Sequence, residues 1–110
     1  MYANALPKPR LNITTEKTPA ESIVRCTGEL TSDGAQSLKT TVKPLLSESK
    51  TVVLDLTNVR YMDSSGLGAI VSLHVSAKAA SSQLKVINVN QRLREIFSIT
   101  RLGHLLAEGA

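Results

Sequence analysis

The chain has 110 residues, thirteen Lys and Arg against nine Asp and Glu, a formal charge of +4, and 42% apolar residues. That suits one domain with a real core and excludes wholesale disorder. The lone Cys26 excludes an internal disulfide framework, Cys26 with His74 and His104 makes no metal-site spacing, and no apolar run approaches the roughly 18–20 residues of a membrane span.

Residues 1–10 hold Pro7 and Pro9 without periodicity and read as a flexible lead-in with no secretory apolar segment. Residues Leu11–Thr15 alternate weakly, as in a short first strand, and Thr18–Glu21 is a turn. Ser22–Thr27 is rich in strand formers, and Gly28, Glu29 and Leu30 end it. Thr31, Ser32 and Asp33 are good helix caps. Ala35, Leu38, Val42, Leu45 and Leu46 then recur every three or four residues, which predicts an amphipathic helix over 33–48 with a kink or break at Pro44. Thr51–Leu56 is a short apolar run of the kind buried on both faces of a parallel sheet. A turn over Tyr61–Gly66 leads into a second helix, apolar over most of its circumference and so packed on more than one side. On it Leu67, Ile70, Val71 and His74 share a face. His74 reads as a core or half-buried residue, and Leu73 and Val75 read as core before partner-facing patch. Ser81 and Ser82 close that helix, and Gln83–Ile87 is a third core strand. Asn90 caps a last helix with Leu93, Ile96 and Phe97 inward, and Thr100–Leu106 is a terminal turn that docks back. Strands alternating with helices predict a single α/β domain over 11–106, with a small, mixed, mostly parallel sheet and helices packed against it, and a tail over 107–110.

The basic residues are spread out and the aromatics are few, so nucleic-acid binding is not expected. The informative segment is Asp63-Ser64-Ser65-Gly66-Leu67-Gly68, which follows a buried strand and opens a helix. A serine at such a cap accepts a bond from a first-turn N–H, and the free N–H groups and dipole favour an anion. A phosphoryl group there is tolerated by the helix yet adds nearly two negative charges beside Asp63. Gly66 and Gly68 suggest close approach, by the protein's own backbone or by a partner.

Residues Val52–Gly68, ending in Tyr61-Met62-Asp63-Ser64-Ser65-Gly66, resemble the signature of STAS domains of the anti-sigma factor antagonist family. Cys26-Thr27-Gly28-Glu29-Leu30 is similar to that family's strand ending in Gly-Glu-Leu, and Leu93–Phe97 followed by Leu102 to its last helix. The likeness covers roughly residues 11–106. It implies a cytoplasmic bacterial regulator that binds an anti-sigma factor serine kinase and so frees a sigma factor. It also implies that the kinase phosphorylates Ser64, abolishing binding, and that a phosphoserine phosphatase restores it. Asp63, Ser64, Ser65, Gly66, Leu67, Gly28, Glu29 and Thr31 become the expected partner-binding positions, without catalytic residue, metal, cofactor or membrane insertion. Two departures stand out. Thr31 takes the place of the family's common Asp after Gly-Glu-Leu, with Asp33 two residues on. Thr100-Arg101-Leu102 replaces Ser-Gly-Leu near the end.

Each residue also has a plainer reading. Ser64 alone is more often a cap than a phosphosite; the full motif reverses that balance. Ser65 reads as a second capping hydroxyl, Asp63 as cap or recognition residue, Gly28 and Glu29 as turn residues near Ser64 at the carboxyl ends of the strands. Cys26 is a buried strand residue. Arg92 and Arg94 form a solvated helix face. A second function keeps the fold with Ser64 structural, as the STAS subunit of a stress-signalling scaffold or of a lipid-transport ABC complex. An enzyme is a third, but the segment lacks the Gly-x-Ser-x-Gly elbow, an acid–His pair and a P-loop. An exposed edge strand near the N-terminus could pair with a second copy as a homodimer.

Overall fold

A computed structural model of the chain describes residues 10–106. The lead-in expected over 1–10, save Arg10, and the tail expected over 107–110 lie outside the described residues.

Period-two burial builds the second strand, β2 (Ser22–Leu30), after β1 (Leu11–Lys17). In β2, Val24, Cys26 and Leu30 are buried while Arg25 and Thr27 are exposed. The strand does not end at Thr27 as expected; it runs through Gly28 to Leu30. Gly28 keeps it going in a conformation that only glycine takes readily, φ 117°, and Arg10 O lies 2.0 Å from where a Cβ would sit. Strand β3 (Thr51–Met62) is likewise longer than the apolar run Thr51–Leu56, and its pairing to β2 shifts register twice. With β4 (Gln83–Ile87) the sheet order is β1-β2-β3-β4. The β1–β2 pair is antiparallel and the other two pairs are parallel, which is the mixed, mostly parallel sheet expected.

Helices α1 (Ser32–Glu48) and α2 (Ser64–Ala79) carry the two crossovers, and α3 (Gln91–Ile99) follows β4. Both crossovers step the same way across the sheet, so right-handedness puts α1 and α2 on one face. There Leu38, Val42, Leu54, Leu56, Ile70, Leu73 and Phe97 form part of the central core. Register aligns Thr14, Arg25, Asp55 and Ile87 across the other face. Burying a leucine-sized side chain contributes about 1.5–3 kcal/mol, so this one apolar layer carries most of the folding energy.

Pro44 does not break α1, which runs from Ser32 to Glu48 with the proline inside it. It sits on the exposed side of the helix, where water reaches the carbonyl freed by its missing N–H. Helix α2 packs on α1 and the sheet, as its apolar circumference implied, but Val75 is 61% exposed and is not core. Asn90 caps α3 as expected, its Oδ1 accepting from Leu93 N–H at 2.9 Å. A 3₁₀ turn at Gly103–Leu105 brings Leu105 into the core, and Leu106 makes one parallel bridge to Val86.

Candidate functional site

Leu30 and Met62 are register partners, so β2 and β3 leave the sheet side by side. Each turns at once into a helix. At the second turn, Asp63 N–H donates to Leu30 O at 3.3 Å, tying the two exits together.

The cap of α2 is Asp63, not Ser64 or Ser65 as the serines suggested. Its Oδ1 accepts from Ser65 N–H at 2.9 Å and from Gly66 N–H at 3.1 Å. A carboxylate outcompetes a hydroxyl here because it is charged and faces the positive end of the helix dipole. Ser64 is thereby moved inside the helix, to its first position. It is exposed, and its hydroxyl has no hydrogen-bond partner among the described residues. Ser65 is also exposed, with its backbone but not its hydroxyl engaged by Asp63.

The other expected positions divide by burial. Gly66 is buried, and a Cβ on it would stand 2.3 Å from Leu30 O, so the close approach comes from the protein's own backbone. Leu67 is 9% exposed and belongs to the core. Gly28 is buried in β2, opposite a register shift at which β3 carries an extra residue. Glu29 and Thr31 are half-buried beside Ser64's end of the sheet; Glu29 makes a 3.8 Å ion pair with Arg10. Thus Ser64 and Ser65 lie at the surface with Asp63, Glu29 and Thr31 partly so, while Gly28, Gly66 and Leu67 shape the surface from beneath.

Tyr61, which sequence reasoning did not select, extends this surface, as do Gly68, whose close approach was left between backbone and partner, and Val75, read first as core. Tyr61 is 48% exposed and is the register partner of Glu29. Gly68 has open space where a Cβ would be, and Val75 lies exposed beyond it. At 100° per residue Ser64, Gly68, Val71 and Val75 fall on one stripe of α2. The stripe was visible in the sequence, but an all-round apolar helix gives no sign of which face is left open.

Elsewhere the titratable groups serve structure. Asp55 Oδ1 accepts from Thr57 N–H at 2.9 Å, from the Thr57 hydroxyl and from Asn88 Nδ2 at 3.1 Å. Burial raises its pKa, but these bonds and Arg25 outweigh that and hold it below the usual carboxylate value. Burial pushes the Cys26 thiol up to about 12, with Asp55 adding to it, so it is an unreactive thiol. His74 is half-buried, as expected, and burial first, then Lys78 and His104, lower its pKa. Among the described residues no cluster of His, Cys, Asp and Glu could hold a metal ion, and no helix is long and apolar enough to cross a membrane.

The family model described as "Mlab, STAS domain" matches residues 13–107. An anti-sigma-B factor antagonist of Bacillus subtilis is 29% identical over 96 residues, covering 87% of this chain and 88% of that protein. One from Listeria monocytogenes is 40% identical over 53 residues, 48% of this chain and 46% of that protein. The anti-sigma factor antagonist SpoIIAA in its unphosphorylated form superposes with a TM-score of 0.76 at 19% identity, over 87% of this chain and 86% of that one. Its phosphorylated form, described as a Bacillus cell fate determinant, gives 0.70 at 19% identity over 87% and 89%. At such identities these two structures establish the fold.

Proposed function

This chain belongs to the STAS domain family, and from that premise we propose that it is an anti-sigma factor antagonist. Unphosphorylated, it binds an anti-sigma factor that is also a serine kinase, and so releases a sigma factor in the cytoplasm. Phosphorylation of Ser64 ends that binding and a phosphoserine phosphatase restores it. The chain is a binding module and not an enzyme.

One observation carries the reading: Asp63 takes over the capping of α2 and leaves the Ser64 hydroxyl exposed and without a partner among the described residues. A serine needed for the cap could not be modified without loosening the helix. Ser64 can be. A phosphoryl group on it sits by the positive helix end, so the fold survives, but about two charges arrive on the docking surface beside Asp63. The partner would cover Ser64, Ser65, Glu29 and Thr31 and run along Gly68 and Val75. Like-charge contact across such a surface costs several kcal/mol, enough to release it.

No base for Ser64 is at hand within the helix. His74 lies ten residues further along α2, about 15 Å away at 1.5 Å per residue. A kinase partner must therefore supply the chemistry. The test is to incubate the chain with its cognate kinase and ATP and to map the phosphate by mass spectrometry. Phosphate on Ser64, absent from Ser64→Ala, is expected; a phosphate only on other residues would contradict the assignment. As a permanent scaffold or transporter subunit instead, the chain would stay bound in Ser64→Asp.

A further inference from the structure

The two edges of the sheet are finished differently. At the β4 edge Leu106 makes a parallel bridge to Val86, beside the 3₁₀ turn. At the β1 edge the described residues add no strand and no bridge. An open edge is usually guarded by a proline, a bulge or a free charge. Leu11–Lys17 contains no proline, and its register against β2 never shifts. Both of its charges are turned back on the protein: Glu16 accepts from Arg25 at 2.8 Å, and Lys17 donates to Glu48 at 2.9 Å.

Glu29 N–H donates to Arg10 O at 2.8 Å, so position 10 bonds toward β2. In an antiparallel pair the bonding side alternates, so Asn12, Thr14 and Glu16 also bond inward. Leu11, Ile13, Thr15 and Lys17 then present their N–H and C=O groups outward. The same alternation turns Leu30 O away from β1, and it accepts from Asp63 N–H on the β3 side.

A second copy of the segment fits this edge. Set antiparallel about a two-fold axis through Thr14, Ile13 stands opposite Thr15 of the second copy and Leu11 opposite its Lys17. Each is a hydrogen-bonded pair, so every outward peptide group of the strand finds a partner. On the other face Thr14 meets Thr14 and Asn12 meets Glu16. No like charges oppose, and a threonine pair across strands is favourable. The axis stands perpendicular to the sheet, which keeps both α1 helices on one face. Helix α1 packs on β2 and β3, and the two β2 strands would lie about 14 Å apart, three strand spacings. That exceeds the 8–10 Å between packed helices, so the copies do not collide there.

We propose that the chain forms a two-fold dimer through β1, joining two four-stranded sheets into one with Thr14 at the axis. Each copy contributes a single seven-residue strand, so the association is weak and depends on concentration. The function proposed above neither requires it nor uses this edge.

The experiment is sedimentation equilibrium of the full chain over a wide range of concentration, with amide hydrogen exchange read in parallel. A monomer–dimer equilibrium is expected, with exchange at Ile13 and Thr15 slowing as concentration rises. Thr15→Pro removes an outward N–H without touching the ladder to β2, and should weaken dimerisation at least tenfold. Thr14→Glu should do the same, because two carboxylates would meet at the axis, while in the monomer the new carboxylate faces Arg25. Mixing Thr14→Glu with Thr14→Lys should restore a dimer to within about threefold of the parent affinity, since opposite charges then meet at the axis. A monomer at every concentration, a dimer that both variants leave undiminished, or no recovery on mixing would each overturn the proposal. So would slow exchange at Ile13 and Thr15 at every dilution, which would mean that the chain covers its own edge.

Discussion

Thr31-Ser32-Asp33-Gly34 opens α1 and Asp63-Ser64-Ser65-Gly66 opens α2, from neighbouring strand ends. Both caps have extended backbones, φ −113° and ψ −165° at Thr31, φ −106° and ψ −171° at Asp63. Both helices have a buried glycine three residues after the cap. The difference is where the acid stands. In α2 it is the cap and accepts two N–H bonds; in α1 it is Asp33, in the first turn, and Thr31 makes no side-chain cap bond. Both junctions leave an exposed serine at the first helical position, Ser32 and Ser64, neither hydroxyl with a partner among the described residues; they differ in that the α2 junction is satisfied by a carboxylate and the α1 junction is not.

The comparison can be broken most severely at the glycines. A Cβ at position 66 would stand 2.3 Å from backbone Leu30 O, while one at position 34 would meet the Leu11 side chain at 3.0 Å and Glu29 O at 3.1 Å. Gly66→Ala should therefore cost about 1–3 kcal/mol in denaturant unfolding, and Gly34→Ala distinctly less. Equal costs would mean that the two turns are equally close-packed. Next come the caps. Asp63→Ala should lose about 1–2 kcal/mol and Thr31→Ala no more than about 0.5, measured at pH 7.

Asp55 comes next: burial raises its pKa, but its hydrogen bonds and Arg25 hold it below the usual value. A folded pKa below the unfolded one gives stability that is present above the unfolded value, near 4, and lost as pH falls through the folded one. Asp55→Asn should cost about 1 kcal/mol at neutral pH, discounted for solvent screening, and its cost should shrink toward acid. A cost independent of pH down to 3 would show that the carboxylate's charge is not what counts. The smallest effect lies far from both junctions. Arg101 follows α3 at φ 60°, in a turn where Leu102 N–H bonds Phe97 O at 2.7 Å and Arg101 N–H bonds Ser98 O at 3.0 Å. Glycine favours that position, so Arg101→Gly should raise stability by about 0.5–1 kcal/mol and leave partner binding unchanged.

Periodicity made the elements legible: the stripe Leu38, Val42, Leu45 and the run Val52–Leu56 fall where burial puts them. The boundaries were less so. Gly28 has the propensity of a turn residue, and only its close approach to Arg10 shows why the strand runs on through a glycine there. The cap of α2 was left between Asp63 and the serines because Asp and Ser are almost equally good caps, and the carboxylate's advantage depends on geometry. At Arg101 the fold requires a positive φ after α3 that an arginine in the sequence does not announce. The docking surface was legible at its motif. Tyr61 was not, and Val75 was read as core before partner-facing patch, since exposure of an apolar residue is decided by what the fold leaves uncovered.

The account stands on the serine that Asp63 frees. The direct measurement is the affinity of the cognate anti-sigma factor for the parent chain, Ser64→Ala and Ser64→Asp, by surface plasmon resonance. The account predicts Ser64→Ala within about threefold of the parent chain, because the hydroxyl caps nothing, and Ser64→Asp weaker by tenfold or more, because like charge on the docking surface costs over about 1.4 kcal/mol. Undiminished binding by Ser64→Asp, in a chain as stable as the parent, would contradict it.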